Sequence, residues 1–150
     1  MQDTVPSRRY ATGLWVLFGL FLFRVVAQPL SLVVHLAVLP PFDSWYSGLV
    51  SYGLLLGSQV VILAVEGWTA WRFTIGAVTP RRALGVAALI FGSLYFVSMV
   101  ARLVLGLTVL SDSAWFAHPV PTLFHLPLAG FVVLYGRFHY VHGGTAAPGR

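Results

Sequence analysis

Four long apolar segments constrain the fold of this 150-residue chain more than any other feature. They cover residues 13–37, 48–71, 83–110 and 122–141. Each provides the roughly 20 residues that an α-helix needs to cross a bilayer. Only 9% of the residues are charged, whereas soluble domains carry about 25%. The sequence therefore predicts an all-α membrane protein, a four-helix transmembrane bundle that forms a single domain over residues 1–150 within the lipid bilayer.

Prolines mark the ends of several segments and one interior position. Pro40 and Pro41 close the first segment, and Thr79 with Pro80 has the form of an N-cap and first-turn proline for the third helix. Pro29 lies inside the first segment. Because membrane helices tolerate proline, we expect helix 1 to be kinked near Pro29 and not broken there.

The basic residues are distributed unevenly between the two ends of the predicted helices. All nine are arginines, and the connections at 38–47 and 111–121 contain none of them but hold Asp43 and Asp112. Seven flank the opposite ends of the helices: Arg8, Arg9, Arg72, Arg81, Arg82, Arg137 and Arg150. The positive-inside rule predicts a multi-pass protein of the cell (inner) membrane with both termini cytoplasmic. Contact with anionic lipids accounts for the net charge of +5, so no nucleic-acid partner is predicted.

The first helix carries a line of polar residues through its apolar segment. Arg24, Gln28, Ser31 and His35 follow one another at spacings of four, three and four residues. At about 100° per residue they fall within a sector of roughly 60° on one face of a helix. A charged side chain exposed to lipid is costly, so this edge is expected to face protein or trapped water.

The other predicted helices carry polar edges of the same kind. Their members are Tyr52, Gln59 and Glu66 in the second, Tyr95, Ser98 and Arg102 in the third, and His125 and His139 in the fourth. Four such edges predict a bundle with a polar centre. Arg24, Gln59, Glu66, Tyr95 and Ser98 are assigned to an intramembrane polar network. His139 and His142 are interpreted as residues of the cytoplasmic edge.

Counting about 1.5 Å per residue places Arg24, Gln59 and Glu66 in the lower, inner zone, and Arg102, His35 and His125 nearer the outer surface. Two arginines, Arg24 and Arg102, lie deep within the spans, and the spans contain only one acid, Glu66. An outward-facing pocket is therefore predicted, with Arg102 as the contact for an anion. The ligand-binding residues are Arg102, His35, His125, Tyr52 and Gln28. Two alternatives stay open: a structural Arg24–Glu66 ion pair, and an Arg102 that only snorkels outward.

Recognisable catalytic chemistry is missing from the sequence. It has no cysteine, and no metalloprotease, nucleotide-binding or nucleophile-elbow motif in the required context. The function predicted is a non-catalytic accessory protein or a module that binds a lipid-like or small-anion ligand. One alternative is a redox protein that binds haem b or a metal through His35 and His125. Another is a small proton or solute transporter using Arg24, Gln59, Glu66 and Arg102.

The second helix also contains a GxxxG pattern formed by Gly53 and Gly57. The pattern lies opposite Gln59 and is a common helix-packing motif in membranes. It indicates a homo-oligomer or a larger membrane complex. The alternative is packing against another helix of the same bundle.

Overall fold

The computed structural model describes residues 5–33, 51–110, 116 and 119–144. These residues form four α-helices, and none of them belongs to a β-strand. The helices are α1 (Val5–Val33), α2 (Tyr52–Thr74), α3 (Arg82–Thr108) and α4 (Pro119–His142). All four are long and apolar enough to cross a membrane, as a multi-pass membrane protein requires. The all-helical, four-span prediction is confirmed.

The helix ends differ from the predicted ones mainly in α1. This helix begins at Val5 and not at residue 13, because the polar turn around Arg8 and Arg9 is helical although it is not apolar. Pro29 lies within α1, and the helix continues to Val33. A kink at Pro29 stays a prediction. The predicted end at residue 37 and the predicted start of the second span at residue 48 lie outside the described residues.

The helices are not arranged in space in the order in which they follow one another along the chain. α1 packs against both α2 and α4, and α4 also packs against α3. No extensive packing joins α2 to α3 within the described ranges, although a short connection links them. The spatial order is therefore α2, α1, α4, α3, with a cleft between the two outermost helices.

The α3–α4 pair is held together by close backbone contact. A Cβ atom added at Gly85 would lie 2.3 Å from the backbone nitrogen of Tyr140, and one at Gly136 would lie 2.8 Å from that of Leu89. Gly92 faces Val133 in the same way. Small residues allow such close approach in membranes, where van der Waals packing replaces the hydrophobic effect between helices.

α1, α2 and α4 share an aromatic core at the arginine-rich end of the molecule. Phe73 and Phe138 pack edge to face with ring centroids 4.7 Å apart, and Tyr10 adds a second such contact to Phe138 at 5.3 Å. Leu14 is completely buried beside them. The indole N–H of Trp15 donates a 3.0 Å hydrogen bond to the hydroxyl of Thr74. This core fixes the arginine-rich end of α2 against the rest of the molecule.

Candidate functional site

The polar edge of α1 lies inside the protein as far as the structure describes it. Arg24 and Gln28 are buried, and an Nη1 hydrogen of Arg24 is donated to Oε1 of Gln28 over 3.3 Å. The Ser31 hydroxyl donates to the Gln28 carbonyl at 2.7 Å. His35 lies outside the described residues, so its part in the predicted pocket stays a prediction.

Glu66 is buried but is not paired with Arg24. It is 3% exposed, and neither carboxyl oxygen has a hydrogen-bond partner among the described residues. Contacts of Phe18 with Gly67 and of Trp15 with Thr74 set Glu66 level with residues 19–23 of α1. The Arg24 guanidinium donates to Gln28 on its own helix and lies within electrostatic range of Tyr52 on α2. The described residues therefore show no hydrogen-bonded ion pair between Arg24 and Glu66.

Arg24 on α1 and Arg102 on α3 lie at similar heights along α4. Ring contact between Phe23 and Phe124 sets Arg24 opposite residue 123 of α4. The register of α3 on α4 sets Arg102 opposite residues 120–123. This differs from the predicted separation into an inner and an outer zone. Counting from residue 13 placed Arg24 too low, because α1 starts at Val5.

His125 lies between these two arginines, within electrostatic range of both. Its ring packs against Tyr95 at a centroid distance of 6.2 Å. Its Nδ1 is 2.6 Å from the Pro121 carbonyl oxygen, which can only accept, so Nδ1 carries a proton. In the neutral ring Nε2 then has the free lone pair, the arrangement common in haem-binding and metal-binding histidines.

The remaining predicted site residues are not all brought together. Gln59 is buried, whereas Tyr52 and Arg102 are half-buried. Ser98 is exposed, and its hydroxyl donates to the Leu94 carbonyl of its own helix, away from the buried groups. Asp43 and Asp112 lie outside the described residues. The outward-facing pocket around Arg102 stays a prediction.

A groove lies between α2 and α3, with α4 as its floor. Its volume is about 540 Å³. The walls are almost entirely apolar, and include Val61 and Val65 of α2, Ala87 and Phe91 of α3, and Leu128 and Phe131 of α4. Glu66, Thr69 and Tyr135 supply the polar side chains of its lining. The cleft left by the missing α2–α3 packing is thus a cavity of a size suited to a ligand, since ligand pockets span roughly 300–1,000 Å³.

A second, more polar cavity of about 300 Å³ continues from the arginine-rich end of this groove. We call it the vestibule, and its lining includes Arg72, Arg81, Thr79, Trp68 and His139. Thr69, Leu84 and Tyr135 line both cavities. The vestibule lies at the end of the helices that carries most of the arginines.

His139 is the buried polar group of the vestibule. It is 2% exposed and accepts a 3.0 Å hydrogen bond at Nδ1 from the backbone N–H of Arg81. Its Nε2 has no hydrogen-bond partner among the described residues. Its ring lies 4.4 Å from that of Tyr135. The interpretation of His139 as a residue of the cytoplasmic edge did not identify its burial beside Tyr135. The four-residue spacing of the two residues, which puts both on one face of α4, could have indicated it.

Gly53 and Gly57 make no close contact within the described part of the chain. A Cβ atom at either position would meet nothing within 4 Å. Their use in an oligomer or complex stays a prediction. Among the described residues, no group of three or more histidine, cysteine or acidic side chains is arranged to hold a metal ion.

Comparison with known proteins gives no further guide to this site. No family model matches the chain, and no curated protein or solved structure matches it. The arrangement of the described residues is therefore the basis on which a function can be argued.

Proposed function

We propose that this protein is a small, non-catalytic membrane module that binds a lipid-like molecule in the groove between α2 and α3. The observation that carries the proposal is an apolar cavity of about 540 Å³ between two membrane-spanning helices that do not pack extensively together. Polar side chains are concentrated at one end of it. An apolar length with a polar end is the shape of an amphiphile.

The groove is accessible from the side of the molecule that would face lipid. Val61, Val65 and Phe91 line it and are 63%, 61% and 63% exposed. In a bilayer, side chains exposed on the outer helices face acyl chains. A molecule that dissolves in the membrane can therefore reach the groove without crossing water.

Native mass spectrometry of protein purified in a mild detergent tests the proposal. Ala87→Trp places a large side chain in the groove and should remove co-purifying lipid adducts. Val97→Trp is the matched control on α3, because Val97 is 64% exposed and does not line the groove. Equal adducts in the two variants would contradict the proposal. Loss of a dimer in Ala87→Trp, in place of lost adducts, would contradict it too, since the groove would then hold a second copy.

The orientation belongs to the same proposal: a multi-pass protein of the cell (inner) membrane, with the vestibule and both termini cytoplasmic. The arginine distribution supports it. Because the chain has no cysteine, single cysteines can be labelled without background. Cysteines at Ser47 and Ser113 should react with an impermeant maleimide in intact cells, and one at Thr145 should not. The reverse pattern would overturn the orientation.

A further inference from the structure

We infer that the vestibule is an oxyanion site, in which Arg72, Arg81 and His139 bind the phosphate or carboxylate head of an anionic amphiphile. The tail of the same molecule would occupy the groove. This inference rests on the proposed function and adds the chemical class of the ligand. Three features of the described residues support it: a donor on His139, two guanidinium groups, and the continuity of the two cavities.

The hydrogen bonding of His139 fixes which nitrogen can donate. The backbone N–H of Arg81 donates to Nδ1, so Nδ1 must carry the lone pair. The ring proton of the neutral imidazole is then on Nε2. Nε2 is buried and has no acceptor among the described residues. A buried donor without an acceptor is costly, and an oxyanion in the vestibule would satisfy it.

The two arginines provide charge and further donors at the same cavity. Both Arg72 and Arg81 line the vestibule. Arg72 uses one N–H on the Ala77 carbonyl at 2.5 Å, which holds its guanidinium against the connection between α2 and α3. A guanidinium has five N–H donors, so donors are left for a ligand. Arg82 differs, because its guanidinium lies over the Tyr140 ring at 5.0 Å.

Glu66, the acidic residue within the described ranges, does not neutralise the charges of Arg72 and Arg81. Glu66 lines the groove and not the vestibule. It lies six residues before Arg72 on α2, or about 9 Å along the helix at 1.5 Å per residue. The vestibule lining described by the structure therefore holds two cationic side chains and no carboxylate. Its charge complements an anion.

The continuity of the cavities distinguishes an amphiphile from a free anion. Thr69, Leu84 and Tyr135 line both the vestibule and the groove, so a head bound at His139 has an apolar path directly beside it. A free phosphate would leave that path unused. Arginine forks suit both phosphate and carboxylate oxygens, so the class of ligand is an oxyanion attached to an apolar chain.

The test titrates the full chain in detergent with three probes: phosphatidic acid, phosphatidylcholine of the same chain length, and inorganic phosphate. Native mass spectrometry measures the bound fraction. We expect phosphatidic acid to bind about tenfold more tightly than phosphatidylcholine, and Arg72→Gln with Arg81→Gln to abolish that preference. The matched control, Arg8→Gln with Arg9→Gln, removes the same charge from the exposed start of α1 and should keep it. Loss in both variants would overturn the site in favour of general electrostatic attraction.

Two substitutions at His139 separate its donor from its acceptor. His139→Asn keeps an acceptor near Nδ1 for the Arg81 N–H but removes the Nε2 donor. It should weaken phosphatidic acid binding several-fold with little change in melting temperature. His139→Gln keeps a donor near Nε2 but loses the acceptor, so it should lower the melting temperature and retain the lipid preference. Unchanged binding in a folded His139→Asn would remove His139 from the site.

The remaining outcomes distinguish this inference from the proposed function. If Ala87→Trp abolishes binding of both lipids while the arginine pair has no effect, the groove stands and the oxyanion site fails. If the two arginine substitutions abolish the preference for phosphatidic acid while Ala87→Trp leaves binding unchanged, the oxyanion site stands without the groove. Inorganic phosphate that binds as tightly as phosphatidic acid would overturn the assignment to an amphiphile.

Discussion

The two helix pairs α3–α4 and α1–α2 are held together by different means. α3 and α4 meet backbone to backbone at Gly85, Gly92 and Gly136. α1 and α2 instead bury polar side chains, including Gln59 and Glu66. The first pair is fixed by shape, whereas the second includes buried polar atoms that the described residues leave without partners.

The comparison shows which wall of the groove is rigid. α3 and the floor on α4 form a unit that cannot separate without losing many close contacts. α2 is held mainly by its packing on α1 and by the aromatic core at its arginine-rich end. We expect any adjustment of the groove to a ligand to occur on the α2 side.

The largest predicted effect would come from breaking the close packing of α3 and α4. Gly85→Leu forces a side chain into the backbone of Tyr140 and should lower the free energy of unfolding by about 3 kcal/mol, the upper range for overpacking. Gly57→Leu, on the open face of α2, should change it little, because nothing described lies within 4 Å. Unfolding in mixed micelles with increasing denaturing detergent measures both. Equal losses would mean that α2 packs as closely as α3.

A smaller effect of opposite sign is expected at the buried acid of α2. Glu66→Gln keeps the shape of the side chain and removes a charge that no described residue pairs, so it should stabilise the protein by about 1–2 kcal/mol. Gln59→Glu, one heptad away on the same face, should destabilise the protein because it adds an unpaired buried charge. Loss of one partner of a buried ion pair would instead cost about 3–5 kcal/mol. A loss of that size in Glu66→Gln would restore the ion-pair interpretation.

The smallest effect concerns the hydrogen bond that joins α1 to α2 near the arginine-rich end. A double-mutant cycle of Trp15→Phe and Thr74→Val isolates the 3.0 Å contact between them. Interhelical hydrogen bonds in membranes average about 0.6 kcal/mol, and we expect a coupling of that size. A coupling near zero would leave the aromatic core as the main attachment of α2 at this end.

The helices and the inward direction of several polar side chains could be predicted from sequence, because hydropathy and helical periodicity are local properties. Arg24, Gln28, Gln59 and Glu66 are all buried, in keeping with the cost of exposing polar groups to lipid. The spatial order of the helices is not local. Four segments of similar apolarity do not specify which pairs pack, so the groove could not be anticipated.

The spacing of glycines in the sequence could have indicated part of the helix packing. Gly85 and Gly92 are seven residues apart and therefore share a face of α3, and that face packs on α4. The better-known GxxxG pattern at Gly53 and Gly57 drew attention to α2, where the described residues make no use of it. From sequence, Arg72 and Arg81 were interpreted only as indicators of the orientation in the membrane. Their meeting at one cavity depends on the short connection between α2 and α3, and on His139, which α4 contributes.

The groove is exposed on the side that would face lipid, so its occupancy would depend on competition among lipids. A cavity that opens to the bilayer is never empty, because some lipid is always present to fill it. Binding is then an exchange of one lipid for another, governed by mole fraction in the membrane and not by concentration in water. A ligand that makes up about one lipid in a hundred would need about a hundredfold preference, or about 2.8 kcal/mol, to occupy half of the molecules. For a groove of this kind, selectivity over the surrounding lipids matters more than absolute affinity.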